Sequence, residues 1–147
     1  MLSTIEKVIL LQDVEILESV STDFLGLIAL ITEDVSFGAG EHIYDKNDLS
    51  DAMYVVVNGK VRLHIGSVEV MTALPKNAFG VWALFDENER MVSATSIEDS
   101  HLLCLNKERF HILLAENAEV SRSVIAALAK RLRNLAQRVS LNNNNSA

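Results

Sequence analysis

Ala52-Met53-Tyr54-Val55-Val56-Val57-Asn58-Gly59-Lys60-Val61-Arg62-Leu63-His64-Ile65 is the stretch on which the fold turns. Ala52 to Val57 is apolar and rich in β-branched residues, as expected of a buried strand. Asn58-Gly59 follows. Asn-Gly between two such runs predicts a two-residue hairpin, because both central residues of that turn need φ > 0. Val61, Leu63 and Ile65 then alternate with Lys60, Arg62 and His64, so one face of the second strand is expected inside. Ile65-Gly66-Ser67-Val68 reads as a further tight turn, and Val68, Val70 and Thr72 continue on the same parity.

Working outward, residues 33–106 carry the same short-strand rhythm. Gly38-Ala39-Gly40 is a turn, His42 to Asp45 a short strand, and Met91 to Ile97 and His101 to Leu105 two more. About eight short strands with turn signals predict a barrel or sandwich. On the N-terminal side, residues 3–31 are helical in pattern. Ser21-Thr22-Asp23 is an N-cap cluster before Phe24, Leu27, Ile28 and Ile31. Beyond Asn106, itself an N-cap candidate, Glu108-Arg109-Phe110 opens a helix reaching Ala115. A longer helix is expected from about Ala118 to Val139. The expectation is mainly β with flanking α: a double-stranded β-helix, or jelly-roll β-roll, at 33–106. Helices occupy 3–31 and 107–139, forming one domain over 1–141 with a polar tail at 142–147.

The chain has 147 residues, a formal net charge of −7, 49% hydrophobic and 22% charged residues. That composition excludes disordered and collagen-like classes. One cysteine, Cys104, excludes a disulfide framework and a multi-cysteine zinc site, and a reducing cytoplasm is the expected setting. The acidic balance disfavours generic nucleic-acid binding. The apolar stretches near Ile28 and at Ala52 to Val57 are too short to span a membrane, so no membrane insertion is expected. Glu6 and Lys7 break any signal-peptide core. Asn144-Asn145-Ser146 matches a glycosylation sequon and reads as chance in a polar tail.

Enzyme motifs are absent: no Gly-x-Ser-x-Gly elbow, no P-loop, and Gly38-Ala39-Gly40 lacks the third glycine of a dinucleotide fingerprint. The histidines are His42, His64, His101 and His111. A barrel could bring His42, His64 and His101 together around a metal, but surface histidines are the plainer expectation. Cys104, within Leu102-Leu103-Cys104-Leu105, reads as an inert buried thiol. The stronger feature is Ala78-Phe79-Gly80-Val81-Trp82-Ala83-Leu84-Phe85, a strand ending at a glycine before a single apolar helical turn. Arg90 lies ten residues beyond Gly80. Two readings follow: an anion clamped between arginine and turn amides, or a tight turn with a surface Arg90 paired to Glu87 or Glu89.

Asp34 to Leu135 resembles the cyclic-nucleotide-binding domain of the bacterial catabolite activator protein and of kinase regulatory subunits. The scaffold is carried by Gly40-Glu41-His42-Ile43, Asn47-Asp48-Leu49-Ser50-Asp51, Tyr54 and Gly59-Lys60-Val61. Asn47 stands where the family usually has glycine, and asparagine tolerates the same left-handed backbone. The family's phosphate-binding cassette is matched by residues 79–90. The resemblance implies ligand contacts from Phe79, Gly80, Val81, Trp82, Ala83, Arg90 and Met91, with cyclic AMP or cyclic GMP as the ligand class. It also implies a departure. The family's ribose-binding glutamate is replaced by Val81, which accepts no hydrogen bond; the loss is roughly 1.5–3 kcal/mol. Asp86 and Glu87 are the carboxylates that could replace it. Met91 stands where the family often has Ser or Ala, and its bulk is expected to crowd a phosphate.

Ile125, Leu128, Leu132, Leu135 and Val139 repeat at spacings of 3, 4, 3 and 4, a short heptad seam. The long helix therefore either forms a homodimer through residues 120–139 or packs on its own barrel. Arg122, Lys130, Arg131, Arg133 and Arg138 read as a solvated face, and the few residues after Val139 cannot make a helix-turn-helix, so direct DNA binding is not expected. The expected function is a non-enzymatic sensor module that binds a cyclic nucleotide or other phosphorylated ligand, weakly or through altered contacts, and signals through its C-terminal helices. The alternatives are a ligand-free dimerisation or docking module and a metal-dependent cupin-like enzyme.

Overall fold

The computed structural model describes residues 1–145. Helices α1 (Thr4–Gln12) and α2 (Thr22–Ile31) flank a 3₁₀ turn at Glu15–Leu17. Strands β1 (Glu33–Phe37), β2 (His42–Tyr44), β3 (Ala52–Asn58), β4 (Val61–Ile65), β5 (Val68–Ala73) and β6 (Ala78–Phe79) follow. A second 3₁₀ turn spans Val81–Leu84. Then come β7 (Ser93–Ser96), β8 (Ser100–Asn106), α3 (Lys107–Glu116) and α4 (Ala118–Asn145). The strands form two four-stranded antiparallel sheets, ordered β1-β8-β3-β6 and β2-β7-β4-β5. This is the expected jelly roll.

The caps explain where helices begin. Ser3 accepts from the Glu6 amide at 3.2 Å, Ser21 from Phe24 at 3.5 Å, and Asn106 from Arg109 at 3.1 Å. The continuous apolar run of β3 has an equally direct cause. Met53 and Val55 face a core shared with Leu11, Ile28, Phe110 and Val124 of the helices, whereas Val56 faces a second core inside the roll with Val61, Leu63 and Leu102. The β3 sheet is covered on both sides, so alternation disappears.

Two expectations from the opening stretch are corrected. Asn58-Gly59 is not a hairpin. β3 pairs with β8 and β6, while β4 pairs with β5 and β7, so this dipeptide carries the chain from one sheet to the other. Asn58 keeps φ below zero and only Gly59 is left-handed, at φ +100°. A Cβ on Gly59 would lie 2.2 Å from Ser100 Oγ and 2.7 Å from Ser100 Cα. The glycine is there because β8 passes directly over the corner. The true hairpin is β4–β5, around Gly66-Ser67. There the pairing shifts register between Leu63 and His64, which turns His64 inward and leaves Ile65 exposed, while Val68 and Val70 are exposed because the outer half of the edge strand β5 is uncovered on both faces.

The C-terminus differs as well. α4 continues through Asn145, so the segment expected as a polar tail from residue 142 is helical as far as Asn145; the sequon's Ser146 lies outside the described residues. Val120, Val124 and Ala127 are buried and Leu128 is packed on the core, but residues 129–143 are exposed all round. Among the described residues no helix is long and apolar enough to cross a membrane.

Asp34 anchors the N-terminus. Its Oδ1 accepts from the Leu2 amide at 3.3 Å and lies 2.8 Å from His101 Nε2, and its Oδ2 lies 3.5 Å from Lys7 Nζ. Burial alone would raise this carboxyl's pKa. The His101 and Leu2 hydrogen bonds and the Lys7 and His101 charges outweigh it, holding the pKa below the ordinary 3.8. A carboxyl with a depressed pKa stabilises the fold above its unfolded value and loses that contribution as pH falls through the folded value. Asp34→Asn is therefore expected to lower the unfolding midpoint at pH 7, with the gap to wild type closing below about pH 4; thermal melts across pH check this. Gly59→Ala is expected to destabilise the fold by about 2 kcal/mol or more through strained φ and overlap with Ser100, read from the urea midpoint.

Candidate functional site

The 79–91 segment is built around a turn that needs glycine. β6 ends at Phe79, which is buried, and Gly80 sits at φ +71° before the 3₁₀ turn. A Cβ on Gly80 would stand 2.7 Å from Arg90 Nη1 and 3.3 Å from the Ala52 carbonyl oxygen. Arg90 is thus pressed against this glycine and not directed into bulk water. It is 5% exposed. Nη2 donates to the Ala52 carbonyl at 2.6 Å and Nη1 to the Gly80 carbonyl at 3.4 Å. Cζ lies 3.9 Å from the centroid of Tyr44, a cation–π stack. Tyr44 in turn belongs to a ring cluster with Tyr54 and Phe79.

Neither acid expected as its surface partner pairs with Arg90. Glu87 lies 2.9 Å from Lys107, and the carboxylate beside Arg90 is Asp51, at 3.7 Å and largely exposed. Among the described residues, Arg90 Nε is buried without a hydrogen-bond partner. A short ladder fixes the arginine: Arg90 N donates to Asp48 O at 2.8 Å, and Asn47 N to Arg90 O at 2.9 Å. Asn47 adopts φ +77°, the left-handed conformation expected of it.

The remaining predicted residues divide. Gly80, Ala83 and Arg90 come together, and Phe79 supports them from below. Val81 packs against the helical core. Trp82 is 64% exposed on the turn. Met91 is 74% exposed, two residues beyond the Leu49–Glu89 bridge. The Ala83 amide is already bonded to Gly80 O at 3.2 Å. The Val81 and Trp82 amides open the turn, where no intrahelical acceptor exists. Asp86 Oδ1 accepts from the Asn88 amide at 3.0 Å. Tyr44 and Ala52, which hold the guanidinium, were not singled out in the sequence; the signal was spacing alone, since both enter from strands far from Arg90.

Burial raises the Tyr44 phenol's pKa against the opposing pull of Arg90, and it raises Tyr54 further. Burial, reinforced by Glu33, pushes the Cys104 thiol up to about 11, so it is protonated and inert at neutral pH. The histidines do not converge. His42 lies 2.6 Å from Asp45, and His101 holds Asp34. His64, expected at the surface, is 7% exposed and lies between Gly66 O and Thr95 Oγ1. Among the described residues no cluster of three or more His, Cys, Asp or Glu could hold a metal ion.

A roll of this order, with an arginine held under a glycine-started turn, defines a class. The family model for the cyclic nucleotide-binding domain matches residues 34–117, and the chain belongs to that family. The chain is 41% identical over 99 residues to the cyclic AMP receptor protein of Thermus thermophilus, a match covering 64% of this chain and 46% of that one. The N-terminal domain of a transcriptional regulator from Streptomyces coelicolor superimposes with a TM-score of 0.82 at 24% identity, covering 88% of this chain and 94% of that one. The Thermus thermophilus catabolite activator protein gives 0.67 at 29% identity, over 86% and 62%. The chain spans about half the length of the curated relatives it matches.

Arg90→Met keeps the apolar stem but removes the guanidinium bonds to the Ala52 and Gly80 carbonyls, leaving Gly80 O only its bond from the Ala83 amide. A loss of about 1–3 kcal/mol in unfolding free energy is expected, and Arg90→Lys, which cannot span both carbonyls and the ring, should recover less than half of it; denaturant titration checks this.

Proposed function

We propose that this chain is a non-enzymatic regulatory module that takes a cyclic nucleotide or similar phosphorylated anion at Gly80, Val81, Trp82 and Arg90, and reports occupancy through α3 and α4. The observation that carries this reading is Arg90: a cation buried beside a partly open turn, with one N–H that meets no acceptor among the described residues. A phosphate at Gly80 competes with the Gly80 and Ala52 carbonyls for the guanidinium. Charge-assisted bonds to an anion are roughly twice as strong as those to neutral carbonyls, so the exchange favours the ligand. The family and the relative described as a cyclic AMP receptor support the ligand class.

Val81 sets the strength. Its side chain is committed to the core and offers no acceptor, so the site lacks about one to two decades of affinity relative to a carboxylate-bearing one. Calorimetry with cyclic AMP and cyclic GMP is expected to give dissociation constants above about 1 μM, with binding abolished by Arg90→Met. Sub-micromolar binding by the wild type, or binding indifferent to Arg90, refutes the reading.

The exposed half of α4 supports a second element. Leu132, Leu135 and Val139 are exposed on one seam of a helix whose surroundings bury none of residues 129–143. Isolated helices of 12–15 residues are marginal in water, and pairing two copies along this seam supplies the missing burial. Lys130 and Arg131 are held instead by Glu18 and Glu15 of the first 3₁₀ turn, at 3.5 and 2.8 Å, which leaves the seam clear. Leu132→Lys/Leu135→Lys is expected to convert a dimer to a monomer in sedimentation equilibrium while the wild-type β-sheet circular dichroism is retained.

A further inference from the structure

Lys107, Phe110 and His111 lie at i, i+3 and i+4 of α3 and so share one face. That face meets the exit of the Val81–Leu84 turn. Lys107 Nζ donates to the Asp86 carbonyl and lies 2.9 Å from Glu87; the side chain is 14% exposed. His111 Nε2 donates to the Leu84 carbonyl at 2.6 Å. Phe110, fully buried, meets Phe85 edge-on at 6.3 Å. The last carbonyls of a helical turn have no donor within it. Here two α3 side chains supply those donors.

The kind of contact decides what it can transmit. Apolar burial is non-directional, so Phe85 can slide over Phe110 at little cost. A hydrogen bond weakens steeply with distance and angle, so two of them, one turn apart on α3, fix both position and rotation. The same helix is tied to the other side of the site, because the Lys107 amide donates to the Asp51 carbonyl at 2.8 Å and Asp51 stands beside Arg90.

We propose that Lys107 and His111 are positioning residues that make the 81–86 turn and α3 move as one body, so that any displacement of the turn is delivered to α3 and, through it, to α4. The delivery of a ligand signal rests on the anion site proposed above; the mechanical coupling does not.

Amide hydrogen exchange on the whole chain tests the coupling without ligand. The Phe85 and Asp86 amides are bonded to Trp82 O at 3.0 and 3.2 Å. In Lys107→Met/His111→Phe these two are expected to exchange about tenfold faster relative to Leu102 and Leu103 of β8, as for one lost hydrogen bond. Lys107→Arg/His111→Gln, which keeps both donors, should restore them to within about threefold. Unchanged Phe85 and Asp86 rates, or rates that merely follow those of Leu102 and Leu103, overturn the proposal. His111→Phe alone, at an exposed position, gives the same comparison should the double variant not fold. A second arm adds cyclic AMP, cyclic GMP or inorganic phosphate and follows emission from Trp82, the chain's single tryptophan. In the wild type a probe that shifts Trp82 should also change exchange at Val120 and Val124. In Lys107→Met/His111→Phe the Trp82 shift should persist without the α4 change, and an α4 change that persists overturns the coupling. Trp82 emission unmoved by all three probes refutes the anion site instead, and the ligand-free comparison still decides the coupling.

Discussion

A charged guanidinium almost completely removed from water imposes conditions on everything near it. Burying a charge is expensive unless it is hydrogen-bonded and electrostatically compensated, and Arg90 meets this from three directions: two backbone carbonyls, an aromatic face and a nearby carboxylate. Each requirement reaches back into the fold. The Ala52 carbonyl is available because β3 begins there; Gly80 must lack a side chain because Nη1 occupies the space; Tyr44 must be aromatic and must sit at the end of β2. The roll is therefore assembled around a cation as much as around its aliphatic core.

The same constraint clarifies the substitution at Val81. The turn remains in place without a carboxylate because its geometry is fixed at its two ends, by Arg90 and Gly80 on one side and by α3 on the other. The residue between those ends is therefore free to vary without altering the turn's shape.

Much of this was legible in the residues. Ser21 and Asn106 announce their helices and Asn47 its left-handed turn; the Phe79–Arg90 spacing announces the turn but leaves Arg90 open between the turn and the surface, and the family resemblance sets it at the turn. The errors have a common origin. Asn58-Gly59 satisfies the local chemistry of a hairpin, but the glycine is required by Ser100, forty-one positions away, and no local rule registers that neighbour. Parity puts Val68 and Val70 inside, but they lie on the outer half of β5, an edge strand exposed on both faces from Val68 to Met71, and no local pattern registers that missing cover. His64 looks solvent-facing by alternation, and the register shift at Leu63/His64 turns it inward. Tyr44 and Ala52 were missed because their role is to hold another side chain and depends on tertiary proximity alone.

The exposed stretch of α4 has a geometric consequence. From Leu128, the last of its seam residues packed on the core, to Asn145 the helix extends for about 25 Å at 1.5 Å per residue. A tilt of about 10° at its root would carry the far end through about 4 Å, comparable to the width of a side chain. A lever of that length would turn a small change of tilt at its root into a displacement large enough to remake or break contacts at its tip.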